Sequence, residues 1–303
     1  MKLHFYLIGL VFVCGSKLSA QQNSLFNTYI ADPLLLNIAY SEDKSGNANL
    51  HYRTQWIGLN ETPKVIQLNA YQSFGKSSAV ALRVHSQTQG LLDLTSVTLG
   101  YGYRMKLSET SNLNFGLGLG FSQAVLASSR AVVIDIGDAA LNEGNKQVAK
   151  GFDTEFGAMY IDPKLKAGIS VLHLYNTNPD FSGSSAYSTL PQLNTQVSYI
   201  IKVNGKIDFE PCVLARNTIG GNNVYEGVLN FTMMKTFSAG LGYRTNYGML
   251  VLLGFKKDKF KLLYSFDYGL TDNASSLGSS HQIMLGFNYY KGGRVKKMAQ
   301  TTF

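Results

Sequence analysis

The chain has almost no cysteine. Of its 303 residues only Cys14 and Cys212 are cysteine. Cys14 falls in an N-terminal leader, so no internal disulfide can staple the rest. Beyond the leader there is no run of 18 consecutive apolar residues, which excludes a transmembrane helix. Histidine is scarce and scattered: His4, His51, His85, His173 and His281 show no metal-ligand spacing. No Ser or His nucleophile system stands out either. Asp208 and Glu210 point the same way on one strand candidate and could form an acid/base pair. Pairing with arginines of the same interior is the stronger expectation. The Gly-x-Gly-x-Gly run at 116–120 has period two, which belongs to a strand and not to a phosphate loop. No enzyme, catalytic residue, metal or cofactor is expected.

What is present begins with a secretory leader. Lys2 supplies the positive start, Phe5 to Val13 the apolar run, and Ser19-Ala20 a small-residue cleavage site, so residues 1–20 read as a signal peptide. Bulky Phe12 and Val13 ahead of Cys14 argue against a lipoprotein site. The formal net charge is +8. Export takes the chain away from nucleic acid, so an anionic membrane surface or an acidic protein fits this charge better. Part of the excess is local. Arg294, Lys296 and Lys297 sit in a tail, 291–303, that has no acidic residue.

From residue 48 to residue 290 the chain alternates apolar and polar residues in stretches of about ten, the length of a tilted membrane strand. Asn114 to Ser122 is the clearest: Phe115, Leu117, Leu119 and Phe121 alternate with Asn, Gly and Ser. Successive side chains of a strand point to opposite faces, so this stretch has one greasy face and one small, polar face. Fourteen strand candidates follow: 48–56, 64–74, 78–87, 93–105, 112–123, 153–161, 164–173, 193–202, 206–216, 224–234, 237–245, 248–256, 259–269 and 281–290. Alternate connections are short (75–77, 106–111, 162–163, 203–205, 235–236, 257–258). The others include long ones (124–152, 174–192, 217–223, 270–280). Short turns on one rim and long loops on the other, with an even strand count, point to a monomeric antiparallel β-barrel in an outer membrane.

The expected lipid face carries residues such as Val80, Leu82, Val84, Val97, Leu99, Tyr101 and Tyr103, then Phe260, Leu262, Tyr264, Phe266 and Tyr268, and Ile283, Leu285, Phe287 and Tyr289. Its membrane-level neighbour is outer-membrane lipid. The expected lumen face carries Arg53, Arg83, Arg104, Lys166, Asp208, Glu210, Arg244 and Asp267. Charges of both signs suggest a salt-bridged interior more than an open selective pore. Residues 21–47 do not alternate. Their apolar run, Phe26 to Tyr40, is broken by Asp32-Pro33 and is expected to plug the lumen as a non-strand segment.

Four ordered motifs carry a resemblance. The first is Asn27-Thr28-Tyr29-Ile30 through Asn37-Ile38-Ala39-Tyr40. The second is Tyr52-Arg53-Thr54-Gln55-Trp56-Ile57-Gly58 with Pro63 after it. Tyr264-Ser265-Phe266-Asp267-Tyr268 is the third, and Ser279-Ser280-His281-Gln282-Ile283-Met284-Leu285-Gly286-Phe287 the fourth. Together they resemble the PorP/SprF-like outer-membrane proteins of type IX secretion and gliding motility. Ile38 stands where that family usually has proline, and the chain runs past the last strand. The family-motif residues are Asn37, Ala39, Tyr40, Tyr52, Arg53, Gln55, Trp56, Gly58, Pro63, His281 and Gly286. The resemblance implies a barrel that helps a large secreted adhesin-like protein reach or stay on the cell surface. That partner would contact the outer loops and upper lumen, and a periplasmic or lipoprotein secretion component would contact the tail. A channel or transporter for small solutes, with lumen Arg53, Arg83, Arg104 and Arg244 as its lining, is the alternative.

Overall fold

The computed structural model describes residues 25–41, 45–59, 61–127, 146–176 and 189–290. The strands are β1 Ser45–Ile57, β2 Lys64–Phe74, β3 Ser78–Gln89, β4 Leu92–Lys106, β5 Asn112–Ala127, β6 Lys146–Ile161 and β7 Leu165–Asn176. They continue with β8 Gln192–Tyr199, β9 Ile201–Lys202, β10 Ile207–Thr218, β11 Asn223–Met233, β12 Phe237–Arg244, β13 Gly248–Lys257, β14 Phe260–Gly269 and β15 Ser279–Tyr290. Cys212 pairs Ser198 of β8, and Asp208 pairs Lys202 of β9 in the same antiparallel register. β8 and β9 are therefore one stave. β15 pairs back onto β1, from Ser45↔Tyr290 to Thr54↔His281, and closes a barrel of fourteen staves. Closure leaves the sheet no free edge, the condition for crossing hydrocarbon.

The alternation read in the sequence sets the two faces. Leu99, Leu117, Leu119 and Leu285 all point outward, each more than half exposed, an arrangement suited to lipid and costly in water. Their neighbours Gly100, Gly116, Gly118 and Gly286 point inward and are buried. Six short connections (75–77, 107–111, 162–164, 203–206, 234–236 and 258–259) lie on one rim, the periplasmic rim by length. At Asp162 the side chain accepts from the backbone N–H groups of Lys164 and Leu165, both at 2.7 Å, which closes the turn before β7.

Leu25 to Ser41 lie inside the barrel, and every residue is buried. Two short 3-10 turns, Thr28–Ile30 and Pro33–Leu35, bend this segment. Pro33 opens the second, where its missing N–H is no loss. Phe26 lies beside Arg216 near the long-loop end of β10, and Ser41 beside Asn114 near the short-turn end of β5. The segment thus descends the lumen from its long-loop half, at Phe26, towards the periplasmic rim, at Ser41.

Several boundaries differ from those expected. β1 begins at Ser45, so 45–47 are already strand. β5 runs on to Ala127 and β6 starts at Lys146, so both ends of the expected 124–152 loop are ladder. The run Ala124-Val125-Leu126-Ala127 is apolar on both faces and hides the alternation. A bulge between Thr154 and Phe156, with His173 at φ 55°, lets β7 continue to Asn176. The 270–280 connection contains a short helix, Asp272–Leu277, capped by the Thr271 hydroxyl, which accepts from the Ala274 N–H. The signal peptide, the loop parts 128–145 and 177–188, and the tail with Arg294, Lys296 and Lys297 lie outside the described residues.

Candidate functional site

In the lumen, motif residues far apart in sequence meet the inner segment, and its upper half holds a buried ionic cluster. Arg53 on β1 donates to Asp267 on β14 at 2.5 Å, and Arg244 on β12 reaches the same carboxylate oxygen at 3.2 Å. Arg244 Nε also donates to Glu226 on β11 at 2.6 Å. Asn27 of the inner segment completes the cluster. Its amide nitrogen donates to Asp267 and to Ser265 Oγ, its amide oxygen accepts from Arg244, and its backbone N–H donates to Gln282. A buried charge without a partner is strongly destabilising. Here both arginines and both carboxylates have partners, and the inner segment supplies one of them.

Below this cluster, His51 on β1 links two segment residues. Its Nε2 lies 2.8 Å from Asp32 Oδ2 and its Nδ1 lies 3.0 Å from Thr28 Oγ1. Asn69 on β2 donates to the same Asp32 oxygen at 2.8 Å. Strand cations hold segment carbonyls: Arg216 donates to Phe26 O, Lys261 to Ala31 O and Arg83 to Leu34 O. Arg83 also pairs with Glu155 at 2.8 Å. These carbonyls have few partners within so short a segment, and the wall satisfies them.

The lower half is held differently. Leu34, Ile38, Ala39 and Tyr40 pack with Tyr71, Ala81, Met159 and Ile161. Asn37 donates to the carbonyls of Ala158 and Ile169 at 3.0 and 3.1 Å, and its own oxygen accepts from the Ala39 N–H. The strand glycines allow this approach. A Cβ on Gly116 would lie 2.6 Å from Ala39 N and 2.7 Å from Ala39 Cα, and one on Gly157 would run into Asn37 Oδ1.

The motif residues do not form one site. Asn37, Ala39 and Tyr40 belong to the segment, while Arg53 and Gly286 face the lumen. Gln55 is also buried and accepts nothing from the cluster; its N–H donates to the carbonyl of buried Pro63 at 2.9 Å. Tyr52 and His281 sit on the outer face, where His281 is 2.6 Å from the Tyr264 hydroxyl. Trp56 and Gly58 take positive φ, 58° and 124°, where β1 ends. Of the expected lumen charges, Glu210 lies 3.5 Å from Lys166 and accepts from Ser198. Arg104 is buried near the short-turn rim and donates to the Lys76 carbonyl. Asp208 departs from expectation. It is half-buried at the inner end of β10, two residues nearer the short-turn rim than Glu210, and joins no ion pair among the described residues.

Four charges of the network escaped the sequence reading: Glu155, Arg216, Glu226 and Lys261. Strand parity would have found each, since Arg216 shares the face of Glu210, and Lys261 that of Asp267. Among the described residues no three His, Cys, Asp or Glu side chains are placed to hold a metal ion.

Solved structures with this fold include a monoaromatic hydrocarbon channel mutant, TodX deltaS2S3. It is 12% identical, covers 88% of this chain and 95% of its own, and has a TM-score of 0.51. The Ralstonia pickettii toluene transporter TbuX is 10% identical over 86% of this chain and 93% of its own, also with a TM-score of 0.51. At such identity the likeness is one of fold. No curated protein sequence matches the chain. Residues 18–287, however, match the family described as type IX secretion system membrane protein PorP/SprF. With that match over nearly the whole barrel and its inner segment, the chain belongs to the PorP/SprF family and is an outer-membrane β-barrel of the type IX secretion system.

Proposed function

We propose that this barrel supports the secretion and surface anchoring of one partner substrate, a large adhesin-like protein that contacts the outer loops and the upper lumen. The observation that carries this is the filled lumen. Leu25 to Ser41 occupy it, and the arginines that would line a solute path hold the chain's own carbonyls and carboxylates instead. A wall committed in this way favours a scaffold that presents its long-loop rim over a channel. Long loops on a rigid barrel are the usual place for recognition. No catalytic step is assigned to the chain, and the tail is assigned a contact with a periplasmic or lipoprotein secretion component.

Trimming residues 129–145, which leaves the β6 ladder from Lys146 onward in place, tests the assignment. Surface adhesin should be lost while the barrel stays at its normal level in the outer membrane. Unaltered surface adhesin in that variant overturns the role of this loop. Small-solute uptake by the untrimmed barrel in liposomes, with no protein partner recovered, would favour the channel alternative.

A further inference from the structure

Every short turn of the periplasmic rim carries or adjoins an exposed lysine: Lys76, Lys106, Lys164, Lys206, Lys235 and Lys259. The acidic residues of the same turns are Glu109, Asp162 and Asp258, and the Asp162 carboxylate is already engaged by backbone N–H groups. The rim is thus a ring of positive charge at the height where strands leave hydrocarbon. Lys257 adds to it. It is exposed and shares the outward face of β13 with Phe255.

Beside the turn that carries Lys257 and Lys259, between Phe255 and Phe260, the outer wall is dented. At the seam of β1 and β15, Ala48 lies in register between Phe287 and Ala70, so small side chains meet where neighbouring rows carry Leu and Phe. The result is an almost wholly apolar groove of about 400 Å³, with Ala48 on its floor, Leu50, Leu68 and Leu285 on one side, and Phe255 and Phe260 towards the rim. Two independent features therefore adjoin: a slot shaped for hydrocarbon and, beside Phe260 of its lining, Lys257, the register partner of Phe260 on β13, and Lys259, which precedes it in the turn.

We propose that this groove is a binding site for an anionic phospholipid of the periplasmic leaflet. One acyl chain lies over Ala48, and the phosphate is held by Lys257 and Lys259. Charge complementarity selects the anionic lipid, since each lysine at a membrane surface adds attraction to an acidic headgroup. The site sits on the closing seam of the barrel and is independent of the secretion role.

The test uses the full chain purified in mild detergent, with retained phospholipid counted by native mass spectrometry. Phosphatidylglycerol and phosphatidylethanolamine with the same acyl chains are added back in separate samples. The wild type should retain phosphatidylglycerol preferentially. The double variant Lys257→Gln/Lys259→Gln should lose about thirtyfold of that retention, as expected for two surface lysines. Ala48→Leu should lower retention by filling the groove. Heat-modifiable gel mobility shows that each variant is a folded barrel. Equal retention of the two lipids by the wild type, or undiminished retention in either variant, overturns the proposal. Loss of cross-linking to a periplasmic protein in the lysine variant, with phospholipid retention unchanged, would make the ring a protein contact and also overturn it.

Discussion

From Phe26 to Leu34 the polar atoms of the inner segment meet charged side chains; from Leu35 to Tyr40 it meets glycine, uncharged side chains and strand carbonyls. The upper half is fixed by Asp267, Arg53, Arg244 and His51, each reaching a named atom of Asn27, Thr28 or Asp32, or a partner of one. The lower half is fixed by shape, with its backbone laid against Gly116 and its Asn37 against Gly157. The two mechanisms fail differently. Charge fixes orientation strongly, but a single missing partner leaves the others buried and unpaired. Packing spreads its contribution over many small contacts and gives way gradually. A segment anchored by ions at the end farther from β1 and by packing next to β1 is held along its whole length.

The largest effect should come from removing both holds together. Deleting residues 23–44 leaves the ladder from Ser45 onward intact, so the barrel should still fold and show heat-modifiable mobility. Its lumen would then be open, and liposomes carrying it should leak small solutes. A deletion barrel no leakier than the wild type would show that the segment does not close the lumen.

Removing the upper hold alone should lower stability. Asp267→Ala takes one carboxylate from between two arginines, leaving Arg53 without its ion pair and Arg244 with Glu226 only. Loss of one partner in a buried pair typically costs about 3–5 kcal/mol. Urea unfolding in detergent measures it. A cost under about 1 kcal/mol, the range of exposed pairs, would mean that water reaches the cluster and that the upper half is not held by charge.

Much of this was legible in the sequence. Alternation at period two fixes which residues face lipid, because a strand has no other way to arrange them; hence Phe115, Leu117, Leu119 and Phe121 were read correctly against Gly116, Gly118 and Gly120. Parity also placed Arg53, Arg244 and Asp267 on one face. What parity cannot give is depth or company. Asn27 meets Gln282 across 255 residues, a contact set by closure of the barrel and by nothing local. Asp208 shares the face of Glu210 yet lies below the network, since parity is blind to height. The segment itself has no period, so its burial was inferred from an apolar run with a proline, while its course from the upper lumen downward came only from its partners.

The smallest effect, and the sharpest control, lies in the lower half. Gly102 on β4 and Gly116 on β5 are register partners and both face the lumen. A Cβ on Gly102 meets nothing closer than 3.7 Å, an ordinary contact with Ala79 and backbone. A Cβ on Gly116 meets backbone atoms of Ile38 and Ala39 at 2.6 to 2.8 Å, and backbone cannot rotate away as a side chain can. Gly116→Ala should therefore cost about 1–3 kcal/mol, the usual range for overpacking. Gly102→Ala should change stability by no more than about 0.5 kcal/mol, as a substitution without a clash does. Both remove a glycine from a strand, so backbone entropy is matched and the difference reports the inner segment alone. In the barrel lacking residues 23–44 that difference should vanish. If Gly116→Ala remains the costlier change there, strand packing and not the segment requires the glycine, and the lower half is not held by close approach.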